Sequence, residues 1–111
     1  MRTTLAFLRT CAFALWISVD AVAASPAELY AQKCAGCHGK DGKAQTAMGK
    51  KLNMKDMTDA KVQAAAKDAN WEKAILEGVK SPEGKVLMPA YKITPEEAKG
   101  LVKVCRDFKG K

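Results

Sequence analysis

Residues 33–42, KCAGCHGKDG, restrict what this chain can fold into more than any other segment. Cys34 and Cys37 stand three positions apart, and the single histidine of the chain, His38, follows directly. This spacing puts the two sulfur atoms about one helical turn apart, with the imidazole beside the second. The segment therefore suits a partner that takes up two thiols and one imidazole together.

Four kinds of chemistry use such a pattern. A thioredoxin-type dithiol needs a βαβ pattern around it, and strand signals are scarce here. A zinc site needs a second pair of ligands, and only Cys105 is left, while the adjacent Cys37 and His38 are awkward joint ligands. A disulfide within Cys-Ala-Gly-Cys would close a strained small ring. The remaining chemistry is haem attachment.

C-x-x-C-H is the attachment signature of c-type haem. Each thiol forms a thioether with one vinyl group of the haem, and the histidine that follows serves as the proximal ligand of the iron. We therefore predict one covalently bound haem c, held by Cys34 and Cys37, with His38 on the iron. Such a large flat apolar group would also complete the core of a short chain.

The N-terminal stretch has the composition of a secretory leader. The first nine residues carry Arg2 and Arg9, an apolar run follows over residues 11–19, and small residues come next in DAVAAS. We predict a cleaved signal peptide over residues 1–24. The apolar run has about half of the roughly 20 residues that a membrane span needs, so retention as an anchor is the less favoured alternative.

Cleavage after Ala23 and cleavage after Ala24 both fit the small-residue rule, and we prefer the second. It leaves Ser25 as the first residue of SPAE, a capping box in which serine is the N-cap and proline opens the helix. The predicted mature domain covers residues 25–111. Export implies a periplasmic location, where disulfides are allowed.

Loss of the leader changes the charge only slightly. Without Arg2, Arg9 and Asp20, the 19 basic and 12 acidic side chains of the chain become 17 and 11, a net charge of +6. Nucleic-acid binding is a poor explanation of this charge, because export takes the protein away from nucleic acid. We expect a monomer with no stable membrane insertion.

Helix signals recur along the mature chain. The last helix is the clearest, since Thr94 to Glu97 form a second capping box and apolar residues follow at helical spacing. We predict an all-α domain of about four short helices joined by long loops. The predicted helices run from about Pro26 to the cysteines, over 58–66, over 68–78 and from Thr94 onward, with loops over 39–57 and 80–93.

The second ligand of the iron cannot be another histidine from this chain. The candidates are a methionine, a lysine, water or an open position. Met48, Met54 and Met57 follow soon after His38, which leaves little chain to wrap around a haem. Met88 comes after two predicted helices and directly before Pro89, which would stiffen the loop that presents the sulfur. We favour Met88.

Three stretches carry a resemblance to a known family. LYAQKCAGCHGKDG, WEKAILEGV and LMPAYKITPEEAKGLVKVCRDF resemble the opening helix, the helix before the methionine loop, and the methionine loop with the C-terminal helix of class I single-haem bacterial cytochromes c. The resemblance implies the cytochrome c fold, in which the first and last helices cross around one covalently bound haem. It also implies that Cys34 and Cys37 hold the haem and that His38 and Met88 ligate the iron.

Two positions depart from the pattern of that family. Many relatives have Gly-Pro-x-Leu, whose backbone carbonyl orients the proximal histidine, and this chain has GKKL at 49–52. The acceptor for the ring N–H of His38 is therefore left open. Relatives also commonly carry an aromatic residue in the middle of the last helix, where this chain has Cys105. We expect Cys105 to be a buried thiol rather than half of an intermolecular disulfide.

Two aromatic residues are candidates for the haem surroundings. We expect Tyr30 to pack against Leu101 and Cys105 where the terminal helices cross. Trp71 would either donate its indole N–H toward a haem propionate or serve in the core, and the sequence favours neither.

The function that the resemblance implies is one-electron transfer between redox partner proteins, without enzymatic activity. The alternative is a haem-based sensor in which Met88 dissociates to admit a small ligand. A peroxidase would need acid–base groups in an open distal site, and no second histidine exists to serve. Most lysines are expected to lie on a solvated surface. Four of them flank the expected haem edge and are candidates for docking an acidic partner: Lys33, Lys40, Lys85 and Lys92.

Overall fold

The computed structural model describes residues 24–111, so the predicted leader lies outside the described residues except for Ala24. Helices dominate this part of the chain, with one small hairpin between the fifth helix and the last. The elements are α1 Pro26–Lys33, α2 Ala35–His38, α3 Ala47–Lys51, α4 Ala60–Ala65, α5 Asp68–Glu77, β1 Val79–Lys80, β2 Val86–Met88 and α6 Pro95–Asp107.

The caps predicted from the sequence begin the two terminal helices. The Ser25 hydroxyl accepts a hydrogen bond from the Glu28 N–H at 3.2 Å at the start of α1. At the start of α6 both halves of the capping box form, since the Thr94 hydroxyl accepts from the Glu97 N–H and the Glu97 carboxylate accepts from the Thr94 N–H, each at 3.1 Å. These bonds satisfy N–H groups that have no partner inside the helix.

The first and last helices cross, as the family resemblance implies, and α6 also packs against α5. Gly100 allows the close approach, because a Cβ at this position would lie 2.9 Å from Cγ of Pro26. Beyond the crossing, the rings of Tyr30 and Phe108 pack with their centroids 5.2 Å apart. Within residues 24–111, no helix is both long enough and apolar enough to cross a bilayer.

Two short elements lie where the sequence predicts loops, and these predictions are wrong. Helix α3 interrupts the segment 39–57, with the Thr46 hydroxyl accepting from the Gly49 N–H at 2.9 Å. Strands β1 and β2 pair antiparallel within the methionine segment, with Val79 opposite Met88. The part of the chain that is described thus has six helices rather than about four, three of them with six residues or fewer.

The core is small and lies between α1, α5 and α6. Its buried members come from these helices, from the start of α2 and from the loop before α4: Leu29, Tyr30, Cys34, Met57, Ile75, Ala98, Leu101 and Val102. A core of this size stabilises a short chain only weakly unless something else is bound within it.

Replacing Leu101 by alanine tests how much this core contributes. Leu101 is 1 % exposed, so its truncation leaves a cavity, and we expect a loss of about 2–5 kcal/mol in the free energy of unfolding. Lys103→Ala on the exposed face of α6 is the matched control, with an expected change within about 0.5 kcal/mol. Denaturant unfolding of both variants gives the two values. Similar losses would mean that the crossing of α1 and α6 is not the centre of the core.

Candidate functional site

The two cysteines and the histidine of the motif lie on one turn of backbone. Cys34 ends α1 and begins α2, and its N–H donates to the Tyr30 carbonyl at 2.9 Å. His38 closes α2, with its N–H donating to the Cys34 carbonyl at 2.9 Å. The thiols are free in this structure. The predicted arrangement of two sulfurs one turn apart with the imidazole beside them is therefore present.

Two hydroxyl groups anchor this turn to its neighbours. The Tyr30 hydroxyl donates to the Gly39 carbonyl at 2.6 Å in a buried bond, and burial raises the pKa of this phenol well above its usual range. The Thr46 hydroxyl donates to the Cys37 carbonyl at 2.5 Å. Thr46 was not singled out from the sequence, and a threonine before a short apolar stretch is only a weak signal of a cap.

The His38 ring is largely buried, and its Nδ1 has no hydrogen-bond partner within the described residues. Burial lowers the pKa of the imidazole, which favours its neutral form. The Lys50 carbonyl, in the GKKL segment, accepts instead from the Asn53 N–H at 3.2 Å. The sequence leaves open which group accepts a hydrogen bond from the His38 ring. In the structure, residues 24–111 place no acceptor on Nδ1.

A cavity of about 250 Å³ opens beside His38 between α5, α6 and the hairpin. Its wall is almost wholly apolar and carries no carboxylate, lysine or arginine from the described residues. The lining residues are His38, Met57, Trp71, Ala74, Ile75, Val79, Met88, Val102 and Cys105. A cavity lined in this way binds an apolar group and offers few acid–base groups to a substrate.

A smaller cleft, which His38 also lines, carries both cysteines of the motif. His38 and Met88 line the cleft and the cavity alike. The other residues of the cleft are Lys33, Cys34, Cys37, Met54, Leu87, Pro89 and Tyr91. The four residues predicted for the site, Cys34, Cys37, His38 and Met88, therefore all line the cleft, and two of them also line the cavity.

The methionines differ clearly in where they lie. Met48 is 43 % exposed, and Met57 is buried in the core although it also reaches the cavity wall. Met54 lies on the cleft, and Met88 lies at the end of β2 on both hollows. No sequence pattern places Met57 beside the cavity, because its carbonyl is held by the side chain of Gln63, six positions later in α4.

Two hydrogen bonds of Tyr91 fix the segment around Met88. The Tyr91 N–H donates to the Ile75 carbonyl at 3.0 Å, and the Tyr91 hydroxyl donates to the Lys33 carbonyl at 2.9 Å. Tyr91 therefore joins the chain after Met88 both to α5 and to the residue before Cys34. This role of Tyr91 was missed from the sequence, since the second bond spans 58 positions.

Cys105 lies on the wall of the cavity rather than fully inside the core. The residue is partly exposed, which corrects the prediction of a buried thiol, although desolvation by the side chains around it raises the pKa of the thiol to about 12. Burial likewise raises the pKa of the Cys34 thiol to about 11. Both groups are therefore protonated thiols at neutral pH in the chain by itself.

Tyr30 and Trp71 take different places. Tyr30 is buried in the same cluster as Leu101, with Cys105 packed against that cluster, which agrees with its predicted packing at the helix crossing. Trp71 lines the cavity, and its ring is covered by the Arg106 guanidinium at 4.3 Å from the ring centroid. Arg106 and its partner Gln63 were not recognised in the sequence.

The side chains of the hollow fit a large flat apolar group that carries an iron. A haem of the c type needs an apolar wall against its flat faces. It also needs two free thiols one turn apart, a neutral imidazole and a thioether as donors. Among the described residues, no charged side chain lies on the cavity wall to oppose such a group.

Comparisons with known proteins point the same way. The family model described as "Cytochrome C oxidase, cbb3-type, subunit III" matches residues 21–103. A solved structure titled "KustC0563 c-type cytochrome" is 40 % identical, with a TM-score of 0.67, and the match covers 78 % of this chain and 99 % of that one. A solved structure of a Kustc0563 mutant is 39 % identical, with a TM-score of 0.65 and coverage of 78 % and 100 %. No curated protein matches the chain.

Two glycines of the hairpin region allow a test of how the Met88 segment is held. Gly78 and Gly84 both have positive φ, at +78° and +86°. A Cβ on Gly78 would lie 2.7 Å from the Met88 carbonyl oxygen, whereas a Cβ on Gly84 would meet nothing within 4 Å. Alanine at either site strains the backbone by about 1–2 kcal/mol, but only Gly78→Ala also pushes the Met88 segment away.

We therefore expect Gly78→Ala to lower the free energy of unfolding by at least about 1 kcal/mol more than Gly84→Ala does. Denaturant unfolding of the two variants measures the difference. Equal losses would show that the contact between Gly78 and the Met88 segment does not hold the hairpin in place.

Proposed function

This chain belongs to the single-haem c-type cytochromes, and we propose that it is a soluble periplasmic electron carrier whose haem c iron is ligated by His38 and Met88. Membership of the family implies a covalently bound haem c. The observation that carries the proposal is the shared position of His38 and Met88, which line both the apolar cavity and the cleft that bears the cysteines.

In this proposal Cys34 and Cys37 form the two thioethers. Bound haem supplies an iron that gains and loses one electron. The one-turn helix α2 fixes the spacing of the sulfurs and keeps His38 beside them, while the bonds from Tyr30 and Thr46 prevent the turn from unwinding. His38 Nε2 is the nitrogen left to bind iron, because Nδ1 is buried against protein atoms.

Met88 would be the second protein ligand of the iron. A thioether is a soft ligand that favours the reduced iron, and a closed ligand set excludes dioxygen. The hairpin and the two bonds of Tyr91 hold the Met88 segment with little freedom, so that little rearrangement accompanies the change of charge. The apolar wall keeps water away from the site, which supports transfer of electrons without chemistry on a substrate.

Replacing Met88 by alanine tests the ligand directly. We expect the haem to stay attached, since the cysteines and His38 are unchanged. The sulfur-to-iron charge-transfer band of the oxidised protein should disappear, the reduction potential should fall, and carbon monoxide should bind the reduced protein readily. Visible absorption spectra and a redox titration record these changes.

Alanine variants of Met48, Met54 and Met57 are the matched controls and should keep the band. The Met57 variant is the most stringent of these controls, because Met57 also reaches the cavity wall. Loss of the band in one of these variants, with retention in Met88→Ala, would assign the ligand elsewhere. A parent protein that already binds carbon monoxide would favour the haem-based sensor.

Partners are expected at the edge of the cleft that the two cysteines line. Lys33 lines this cleft, and the other three proposed docking lysines, Lys40, Lys85 and Lys92, lie exposed on segments that adjoin it. Exposed positive charges at this edge would orient an acidic redox protein and speed its encounter.

The docking proposal predicts a rate that depends on salt. Electron transfer to an anionic reagent such as hexacyanoferrate(III) should slow as ionic strength rises, because exposed charges are screened beyond about 10 Å at 0.1 M. The double variant Lys33→Gln with Lys85→Gln should flatten this dependence. Lys61→Gln together with Lys109→Gln, which removes the same charge from positions outside the cleft, should leave it steep. Stopped-flow kinetics measures the slopes, and equal slopes would exclude docking at the cleft.

A further inference from the structure

Arg106, near the end of α6, joins three elements through its guanidinium. Its Nη1 donates to the Gln63 carbonyl at 2.6 Å and to the Gln63 side-chain oxygen at 3.0 Å, and its Nη2 donates to the Ala66 carbonyl at 2.6 Å. Its Nε donates to Asp68 at 2.7 Å. A planar guanidinium that makes four bonds in fixed directions has little freedom left.

The same group covers one face of Trp71, with Cζ 4.3 Å from the ring centroid. A cation at this distance is attracted by the ring and limits its rotation. Trp71 lines the cavity that His38 and Met88 share. Arg106 therefore holds an indole ring against the proposed haem site without lining the cavity itself.

Gln63 extends this contact to two further parts of the wall. It is the buried polar residue of the described chain, at 4 % exposure. Its amide donates to the Met57 carbonyl at 2.5 Å and to the Cys105 carbonyl at 2.9 Å. Met57 and Cys105 both line the cavity, so Arg106 and Gln63 together contact three residues of the wall.

Arg106 and Asp68 form an ion pair, and water does not screen its two charges equally. The Arg106 side chain is 27 % exposed, whereas the Asp68 side chain is 65 % exposed. Water screens Asp68 more strongly, and the guanidinium lies directly on Trp71, so the positive charge acts more strongly on the cavity. A positive charge beside the iron disfavours the oxidised state, which carries one more positive charge than the reduced state.

We propose that Arg106 is a positioning residue of the haem site, which holds Trp71 against the haem and raises the reduction potential through its fixed charge. The proposal rests on the proposed function in one respect, that the haem occupies the cavity beside His38. It needs no particular second ligand.

The experiment uses the haem-loaded mature protein, from which the proposed cleavage after Ala24 removes Trp16, so that Trp71 is the tryptophan that emits. Haem quenches the fluorescence of a nearby tryptophan, so the emission reports the position of Trp71. A redox titration at about 10 mM ionic strength, where screening extends over about 30 Å, gives the potential. The variants are Arg106→Gln, Arg106→Lys, Asp68→Asn and, as a control of equal charge change on the exposed face of α6, Lys103→Gln.

The positioning role and the electrostatic role of Arg106 predict different changes in the emission and in the reduction potential. Arg106→Gln should raise the emission and lower the potential more than Lys103→Gln does. Arg106→Lys keeps the charge but loses the planar fork, so the emission should rise while the potential falls less than in Arg106→Gln. Asp68→Asn should raise the potential and leave the emission near that of the parent protein.

A potential in Arg106→Gln equal to that in Lys103→Gln would overturn the electrostatic part. Unchanged emission in Arg106→Lys would overturn the positioning part. If Arg106→Gln does not fold, a potential in Asp68→Asn that fails to rise overturns the electrostatic part instead. Failure of the Met88 assignment would show separately, as a missing sulfur-to-iron band in the parent protein.

Discussion

Met57, Ile75 and Val102 belong both to the buried core and to the wall of the cavity. Each side chain packs against neighbouring helices on one side and faces the hollow on the other. A chain of this length buries a small core, and a group bound against these side chains would enlarge it. A haem bound in this cavity would therefore extend the core and add contacts to α5 and α6, which pack against each other.

The turn that carries Cys37 and His38 depends on its surroundings for its shape. Helix α2 has four residues, far fewer than a helix needs to be stable by itself. The Tyr30 hydroxyl fixes one end of the turn, and the Thr46 hydroxyl fixes the other by donating to the Cys37 carbonyl. The positions of the proposed iron ligand and thioethers thus follow from α1 and α3, while β2 and Tyr91 set the position of Met88. The Tyr91 hydroxyl also links the Met88 segment to Lys33, at the end of α1.

Local signals in the sequence were enough for the longer helices and for the cysteine motif. Capping residues predicted the starts of α1 and α6, and Gly78 correctly marked the end of α5. The five residues of α3 and the pairing of Val79 with Met88 were missed, since neither leaves a periodic pattern. The Arg106–Gln63 contact was missed because it joins residues 43 positions apart, which no local pattern records.

The central claim is that Met88 sulfur and His38 nitrogen ligate the iron of a haem held beside them. X-ray absorption at the iron edge of the oxidised protein tests this most directly, because sulfur and nitrogen scatterers are distinguishable in the first coordination shell. We expect one sulfur ligand together with nitrogen ligands from the haem and from one imidazole. A first shell of nitrogen and oxygen alone, or a five-coordinate iron, would contradict it.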